Sequence, residues 1–566
     1  MSRKILIVGG VAGGASAAAR LRRLSEEDQI IMFERGPHVS FSNCSIPYFL
    51  SGMIDSAEDL VLMNPGKFLK QYNIEARVNQ EVIGIDRKNK LISVQNKTTN
   101  TMYTESYDKL ILSPGAKPIM PRFEGIEKVQ TFGIRNVEDI SRLKNYIIEN
   151  KATKITVIGG GFIGVEVVEN LVLGGYEVTL IEAINQILRT FDEDMVQIFH
   201  KELLEHGVKL ILGDKVNHFE SHQVILESGH VIDTDLVVMA IGVAPETGLA
   251  ESAGIALGVT KAIKVDEDYL TNDTDIYAVG DAIEVMHALT GAVTKLSLAG
   301  PAQKQARAVA DHINGNQTQY KGVIGSSAIK VFDYNGASTG LNENLIQSLG
   351  LKLSYDKVLF ILGDKVGLMP DSNPMFFKLL FEVPTGRVLG AQAIGKGTVD
   401  KRIDVVATAI KFGATVNDLK ELELCYAPTF GTAKDIVNYA GYIASNLLDG
   451  DFKQVSLDQV RLLLEQGETF IDVREKGEYD YGHLKGATNI PLSELRKRVE
   501  EIPKDRPVYL HCRTGQRSYN AVLALQNFGY PNVINVTGGF LGTSFYEYYH
   551  DQTLNRDPIL TNYNFY

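Results

Sequence analysis

Three cysteines in 566 residues, Cys44, Cys425 and Cys512, are too few for a disulfide framework, so each thiol has to be read singly. Long apolar runs are missing too: none reaches the roughly 20 residues that a membrane-spanning helix needs. Basic residues fall short of acidic ones, 57 Lys and Arg against 69 Asp and Glu, for a formal charge of -12. That balance argues against nucleic acid or an anionic membrane as partner, since either wants a basic face. The opening Met1-Ser2-Arg3-Lys4, followed by Ile5 to Gly9, has too short an apolar stretch for a signal sequence and reads as a first β-strand. Scarce cysteine and no export signal point to a reducing cytoplasm. What remains is an ordinary globular composition, 44% apolar and 22% charged, at a length that suggests roughly three to four domains.

The first thing present is a repeat. Ile5 to Val8 is a buried parallel-type strand that runs into Gly9-Gly10-Val11-Ala12-Gly13-Gly14 and an alanine-rich helix. The glycines let backbone amides at a helix N-terminus approach a pyrophosphate. The next strand ends at Glu34, placed to take ribose hydroxyls of an adenine dinucleotide. Strict alignment puts Val11 where the fingerprint's middle glycine belongs, which weakens this match taken alone. The pattern then returns with Lys154 to Ile158, Gly159-Gly160-Gly161-Phe162-Ile163-Gly164, a helix, and a strand ending at Glu182. A chance glycine cluster would not bring its strand, helix and terminal acid along twice. Two dinucleotides are therefore expected. An acid at Glu182, with no arginine in the next few residues to receive a 2′-phosphate, favours NADH over NADPH.

Further along, Leu110 to Ser113-Pro114-Gly115 and Leu236 to Ile241-Gly242 are strands leading into small-residue turns. Thr274-Asp275-Ile276-Tyr277-Ala278-Val279 is a strand ending in Gly280-Asp281, an acid placed for a second polyol, and Leu298-Ala299-Gly300 opens a helix. This order resembles the two-dinucleotide flavoprotein disulfide reductases. The resemblance implies an α/β architecture of two Rossmann-like domains, an α+β dimerisation domain and a further α/β module. It implies a split FAD domain at 1–115 and 245–323 around an NADH domain at 116–244. The FAD residues so implied are Gly9, Gly10, Ala12, Gly14, Glu34, Arg35, Val82, Ser113, Gly115, Asp281 and Ala299; the NADH residues are Gly159, Gly161, Ile163, Gly164, Glu182 and Gly242. No metal site is expected.

Most of that superfamily carries a Cys-x4-Cys pair, whereas this chain has only Cys44, in Ser40-Phe41-Ser42-Asn43-Cys44-Ser45-Ile46-Pro47-Tyr48. A free cysteine is commonly a half-buried small hydrophobe, yet here the flanking motifs converge on it. A single thiol cannot close an internal disulfide, so its oxidised form is a mixed disulfide, a persulfide or a sulfenic acid. The motif, with the Gly-Gly-Val-Ala-Gly-Gly opening, is similar to that of the coenzyme A-disulfide reductases. By that likeness Ser40 and Asn43 line the pantetheine end, and Arg20, Arg23 and Lys67 are candidates for the coenzyme A phosphates. Helix spacing puts Ser16, Arg20 and Arg23 on one face and leaves Arg22 off it. As an attacking thiolate, Cys44 is expected to have a lowered pKa.

Residues 324–448 resemble the superfamily's dimerisation domain, which in that family lends a tyrosine to the partner subunit's cysteine site. Tyr426 matches one such position; the family's other tyrosine place reads Leu368-Met369-Pro370. A homodimer is implied. Cys425, beside Tyr426, is read as passive.

A polar linker at 449–453 leads to a module at 454–566. Its strand Pro507 to His511 delivers Cys512-Arg513-Thr514-Gly515-Gln516-Arg517-Ser518 onto a helix. A glycine-bearing loop there rings the sulfur with inward amides that stabilise a thiolate or persulfide, with Arg517 adding charge. Four residues separate Cys512 from Arg517, where cysteine phosphatases place five, and the segment resembles the rhodanese sulfurtransferases. Together the chain resembles coenzyme A-disulfide reductases fused to a rhodanese domain. That resemblance implies an NADH-dependent reductase of coenzyme A persulfide, polysulfide or coenzyme A disulfide. The alternatives are a plain coenzyme A-disulfide reductase, an NADH oxidase or peroxidase cycling Cys44 through a sulfenic acid, and a sulfur-delivery protein.

Overall fold

The computed structural model describes residues 2–317 and 322–565, arranged as two compact units. One comprises 1–183 and 213–323, the other 184–212 and 324–566.

In the first unit, the strand Lys4–Val8 pairs in parallel with Gln29–Glu34 on one side and Lys109–Leu112 on the other. Ile276–Ala278 and Glu75–Val78 complete this sheet at its edges. Ile5, Leu6, Ile7, Ile31 and Ile111 are wholly buried, as a central strand covered on both faces requires. The second parallel sheet carries the order Glu177–Glu182, Lys154–Ile158, Leu236–Met239, Thr131–Gly133. Each sheet thus has a glycine turn leaving its central strand, at the carboxyl ends where open α/β sheets bind ligands.

The second unit contains an antiparallel five-stranded sheet in the order Ser327–Val331, Tyr334–Gly340, Val388–Gly395, Pro374–Glu382, Tyr355–Gly363. Its middle holds a buried charge cluster. The Lys378 Nζ lies 2.5–3.0 Å from Asp192, Asp194 and Glu343, three carboxylates close enough together to hold a metal ion. The ammonium is the cation there, and the three anions raise its pKa against the burial that would lower it. A separate parallel sheet follows in the order Gln454–Val455, Val533–Val536, Val508–His511, Thr469–Asp472, Thr488–Asn489. Among the described residues no helix is long and apolar enough to cross a membrane.

Candidate active sites

The two glycine turns of the first unit are built alike, and sterics say why. Gly9 has φ +97° and Gly159 φ +110°, a region closed to most side chains. A Cβ on Gly14 would sit 1.8 Å from the Gly9 carbonyl oxygen, and one on Gly164 would sit 1.9 Å from that of Gly159. The backbone N–H of Gly10 donates to Glu34 Oε2 at 2.9 Å, and that of Gly160 to Glu182 Oε2 at 2.7 Å. Among the described residues, neither the Ala12–Leu24 nor the Phe162–Leu173 helix has a side-chain N-cap, and neither has an acid in its first turn. Their first amides are therefore open to an anion, as a pyrophosphate site needs.

A cavity of about 1000 Å³ opens on the first turn, lined by Gly9, Ala12, Glu34, Arg35, Ser113 and Asp281 among others. That is the upper end of the usual range for ligand sites. Val82 and Gly115 also line it. Gly10 and Gly14 shape the turn from behind. Ala299, the first residue of the Ala299–Ile313 helix, is exposed, and Ala302 in the next turn is the residue that reaches the cavity. Burial raises the pKa of Glu34 against the lowering pull of the Gly36 and Gly10 amides. Burial likewise raises that of Asp281, with Arg135 opposing at 3.9 Å. Arg135 was not singled out from the sequence: it follows a short strand at the start of the inserted domain and carries no motif. In the second turn Gly161 is the N-cap, Ile163 is 39% exposed and Gly242 has φ +119°. A Gly164→Ala variant is expected to hold flavin normally while its KM for NADH rises about 10- to 100-fold, the size of an overpacking penalty of ~1–3 kcal/mol. NADH titration of the flavin absorbance checks this.

Cys44 is the second residue of the 3-10 helix Asn43–Phe49. Asn43 lines the large cavity, and its side-chain oxygen is buried with no hydrogen-bond partner among the described residues. The Ser42 and Ser45 hydroxyls meet at 2.7 Å. Part of the Cys44 side chain reaches water, yet its thiol pKa is raised, first by desolvation and then by the negative charges of Glu166 and Asp281. The lowered pKa expected of an attacking thiolate is not what the protein groups alone provide, since those that act on Cys44 are carboxylates. Glu166 itself is pushed up to about 7 by burial and then by Glu169.

Beside this site a second cavity, of about 400 Å³, is lined by Arg20, Arg23, Ser40, Phe68, Gln303 and Arg307 among others. Arg20 is paired to Asp311 at 2.5 Å, and Arg307 approaches the same carboxylate at 3.6 Å. Three guanidinium groups against that one carboxylate leave the cavity positive. Arg22 is buried and spent on the backbone carbonyls of Ser25, Asp28, Tyr72 and Asn73. Lys67, in the first turn of the Pro65–Tyr72 helix, and Asn43 are not among this cavity's walls. Arg307 escaped notice because it lies some 280 residues from Arg23 in the chain; only the packing of helix Ala299–Ile313 on Ala12–Leu24 brings the two together.

In the last module Cys512 is buried at the end of strand Val508–His511. The Gly515 N–H donates to its Sγ at 3.2 Å and the Ser518 hydroxyl approaches it at 3.6 Å. Arg517 forms a two-pronged pair with Glu478, both contacts at 2.7 Å, and that pairing, more than the nearby Cys512, raises its pKa. Glu478 was not picked out from the sequence. Tyr426 and Cys425, in the stretch before helix Ile436–Leu448, are exposed.

These features define a flavin- and nicotinamide-dependent oxidoreductase of sulfur groups carrying a sulfurtransferase-type domain. Comparison with known proteins agrees. The pyridine nucleotide-disulphide oxidoreductase model matches residues 3–306, its dimerisation-domain model 326–435, and the rhodanese-like domain model 456–544. The chain belongs to the pyridine nucleotide-disulphide oxidoreductase family. It is 34% identical to the coenzyme A disulfide reductase of Staphylococcus epidermidis, over 78% of this chain and 99% of that one. Among solved structures it resembles reduced Bacillus anthracis CoADR-RHD, at 47% identity, TM-score 0.93, and 98% and 99% coverage of the two chains. It also resembles a NAD-dependent persulfide reductase from A. fulgidus, at 32% identity, TM-score 0.90, and 95% and 99% coverage. FAD and a nicotinamide dinucleotide are the cofactors of this enzyme, and the two uncapped glycine turns fit them.

Proposed function

We propose that the protein reduces coenzyme A persulfide, and polysulfide through it, with NADH as donor and sulfide as product. The observation that carries this reading is a lone redox-placed cysteine, Cys44, on the same chain as a sulfur-cradling loop around Cys512. FAD bound in the large cavity supplies the route by which two electrons from NADH reach sulfur on Cys44. The Glu34 and Asp281 carboxylates hold its hydroxyls, and the amides of the first glycine turn hold its pyrophosphate. Glu182 and the second turn hold NADH. Arg20, Arg23 and Arg307 take the coenzyme A phosphates, and Ser40 and Asn43 guide the pantetheine toward Cys44.

The Cys512 thiolate takes a sulfane sulfur, and the Gly515 amide and Ser518 hydroxyl stabilise the resulting persulfide anion. That sulfur passes to the coenzyme A thiol. Cys44 then attacks the outer sulfur of the carrier persulfide: the carrier's S–S bond breaks, coenzyme A leaves as its thiol, and Cys44 keeps the sulfur as a persulfide. Two electrons and a proton return Cys44 to its thiol state with release of HS⁻. A homodimer fits the exposed apolar side chains that the 324–448 domain carries, Leu368, Phe412 and Phe430 at 86%, 83% and 75% exposure. In it Tyr426 serves the Cys44 site of the second copy.

Steady-state NADH oxidation with coenzyme A persulfide, coenzyme A disulfide and hydrogen peroxide, with sulfide measured, decides among the readings. The persulfide is expected to have the highest kcat/KM with one sulfide per NADH. A higher value for the disulfide would leave a coenzyme A-disulfide reductase, the activity named for the Staphylococcus relatives.

A further inference from the structure

We infer that a cavity beside the Cys512 loop seats the thiol that takes sulfur from Cys512: it holds a slender arm bearing secondary amides, of the pantetheine kind, with the thiol end at the loop. The inference rests on the proposed reading for the reaction of Cys512; the chemistry of the cavity is independent of it.

The cavity, about 280 Å³, lies wholly within the second unit. Its walls come from strand Tyr355–Gly363, from helix Ile436–Leu448 and from the last module, where Thr514, Gly515 and Gln516 line it. That volume falls just under the ~300 Å³ at which ligand cavities usually begin, so it takes an arm and not a whole nucleotide-bearing carrier. Two polar side chains in it are left without partners. Asn535 and Thr537 are 7% and 6% exposed, and among the described residues neither Asn535 Oδ1 nor Thr537 Oγ1 has a hydrogen bond. Buried polar atoms nearly always have a partner, so two orphans in one cavity mark a place where the partner comes from outside.

The opposite wall offers backbone groups. Strand Tyr355–Gly363 is the edge of its sheet and pairs with Pro374–Glu382 without a register shift. The Val383 N–H bonds the Ser354 carbonyl, whereas the Lys357 carbonyl, of the other parity, turns outward and accepts from Gln454 Nε2 at 2.6 Å. Leu359 and Ile361 share the parity of Lys357, so their N–H and C=O groups also point off the sheet. Both residues line the cavity, and no group among the described residues takes those amides. A side-chain amide and a hydroxyl on one wall, with two peptide groups on the other, fit a chain whose own polar groups are secondary amides. Phe360, Tyr439 and Phe452 supply apolar surface for its methylenes. Lys434 is the one cation of the wall and makes no ion pair among the described residues, as the phosphate end of such an arm needs.

The loop meets the orphaned pair closely. A Cβ on Gly515 would lie 3.6 Å from the Gly538 nitrogen and 3.8 Å from the Val536 oxygen, so both neighbours of Thr537 stand against the loop glycine. The Gly515 N–H in turn donates to Cys512 Sγ at 3.2 Å. Cys512 itself is 1% exposed, so the atom an arm meets is the sulfane sulfur one bond beyond Sγ. A pantetheine thiol stands two methylenes past its last amide, so an amide held at Thr537 brings the thiol to the loop.

The step balances. The arm's R–SH attacks the outer sulfur of Cys512–S–S⁻ and a new S–S bond forms on the carrier. The Cys512 S–S bond breaks with its electron pair on Sγ, and the thiol proton stays with the carrier as R–S–SH. Cys512 is left as a thiolate facing the Gly515 amide and the Ser518 hydroxyl. No oxidant or reductant enters.

The test uses the flavin-loaded Cys44→Ser enzyme, which does not reduce the carrier persulfide, with thiosulfate as donor and acceptor-dependent sulfite release as the readout. The acceptors are pantetheine, 2-mercaptoethanol as a thiol without amides, and cyanide. In this parent, the KM for pantetheine is expected to lie about tenfold or more below that for 2-mercaptoethanol. Thr537→Val and Asn535→Leu are each expected to raise the pantetheine KM about tenfold with kcat within about twofold. The KM for 2-mercaptoethanol and the rate with cyanide are expected to stay within about twofold, because neither acceptor has an amide to place. Thr537→Val, which removes only a hydroxyl without a partner, serves should the Asn535→Leu protein fail to fold. Equal KM values for the two thiols in the parent would overturn the inference, as would a preference for pantetheine that both variants retain, which leaves the cavity to water. Cyanide turnover lost in step with pantetheine turnover would overturn it too, by giving both side chains a purely structural role. If the parent passes sulfur to cyanide but to neither thiol, the reading that Cys512 feeds a carrier thiol fails, and the inference falls with it.

Discussion

Cys44→Ser is expected to lower NADH oxidation with coenzyme A persulfide, polysulfide and coenzyme A disulfide by about 10⁴-fold or more, the usual cost of removing an enzyme's nucleophile. The reason is chemical. A serine hydroxyl does not exchange with an S–S bond, so electrons delivered from NADH have no sulfur on the protein to reduce. The loss is not one of folding: the residue is partly in water, on a short 3-10 helix, and a Cys-to-Ser change at such a place shifts stability by no more than about 0.5 kcal/mol. Flavin content and the rate of flavin reduction by NADH are expected to match the parent. Turnover of any of the three sulfur substrates above a hundredth of the parent rate would remove Cys44 from the mechanism.

The second large effect separates the two sulfur sites. Cys512→Ser is expected to cut the use of thiosulfate or polysulfide about 10³-fold while leaving the reduction of preformed coenzyme A persulfide within about twofold of the parent. The Gly515 amide and Ser518 hydroxyl are aimed at the sulfur that, in the proposed relay, accepts and releases a sulfane atom. A serine oxygen holds none. The loop itself keeps its shape, since the Phe540 and Leu541 amides hold the Cys512 and Arg513 carbonyls, both at 2.8 Å. Steady-state rates with the two classes of substrate, measured side by side, read the ratio directly. Equal losses on both would break the relay.

The positions legible in the sequence are those that local geometry makes unavoidable. A carbonyl 1.8–1.9 Å from any side chain at 14 or 164 forces glycine there, and a glycine amide bound to the acid at the end of the next strand forces Glu34 and Glu182 into register with the turns. Both show as spacing within one βαβ stretch. The loop from Cys512 to Ser518 was readable for the same reason, being a single contiguous turn. What stayed hidden comes from distant segments or from charge. Arg135 reaches the Asp281 carboxylate from the inserted domain, and Arg307 joins Arg20 across two packed helices. Glu478 claims Arg517 from 39 residues upstream. On the helix that Ala299 opens, Ala302 is the residue that lines the cavity. The charges around Cys44 were not legible, because which of them act on it depends on the fold. Glu166 and Asp281, which raise its pKa after burial does, are more than 100 residues away in sequence.

The pH behaviour follows from the same charges. Glu166 is uncharged below about pH 7 and ionised above it. Since its pKa is raised relative to an unfolded carboxyl group, ionising it costs stability as pH rises through the folded value.

Peptide mapping of Cys44 after single exposure to coenzyme A persulfide, before and after NADH, tests the central claim most directly. Without NADH, the Cys44 peptide is expected to gain one sulfur atom while coenzyme A is freed; NADH then removes that atom and yields one sulfide per site. Sulfide released with no sulfur ever found on Cys44 would contradict the account.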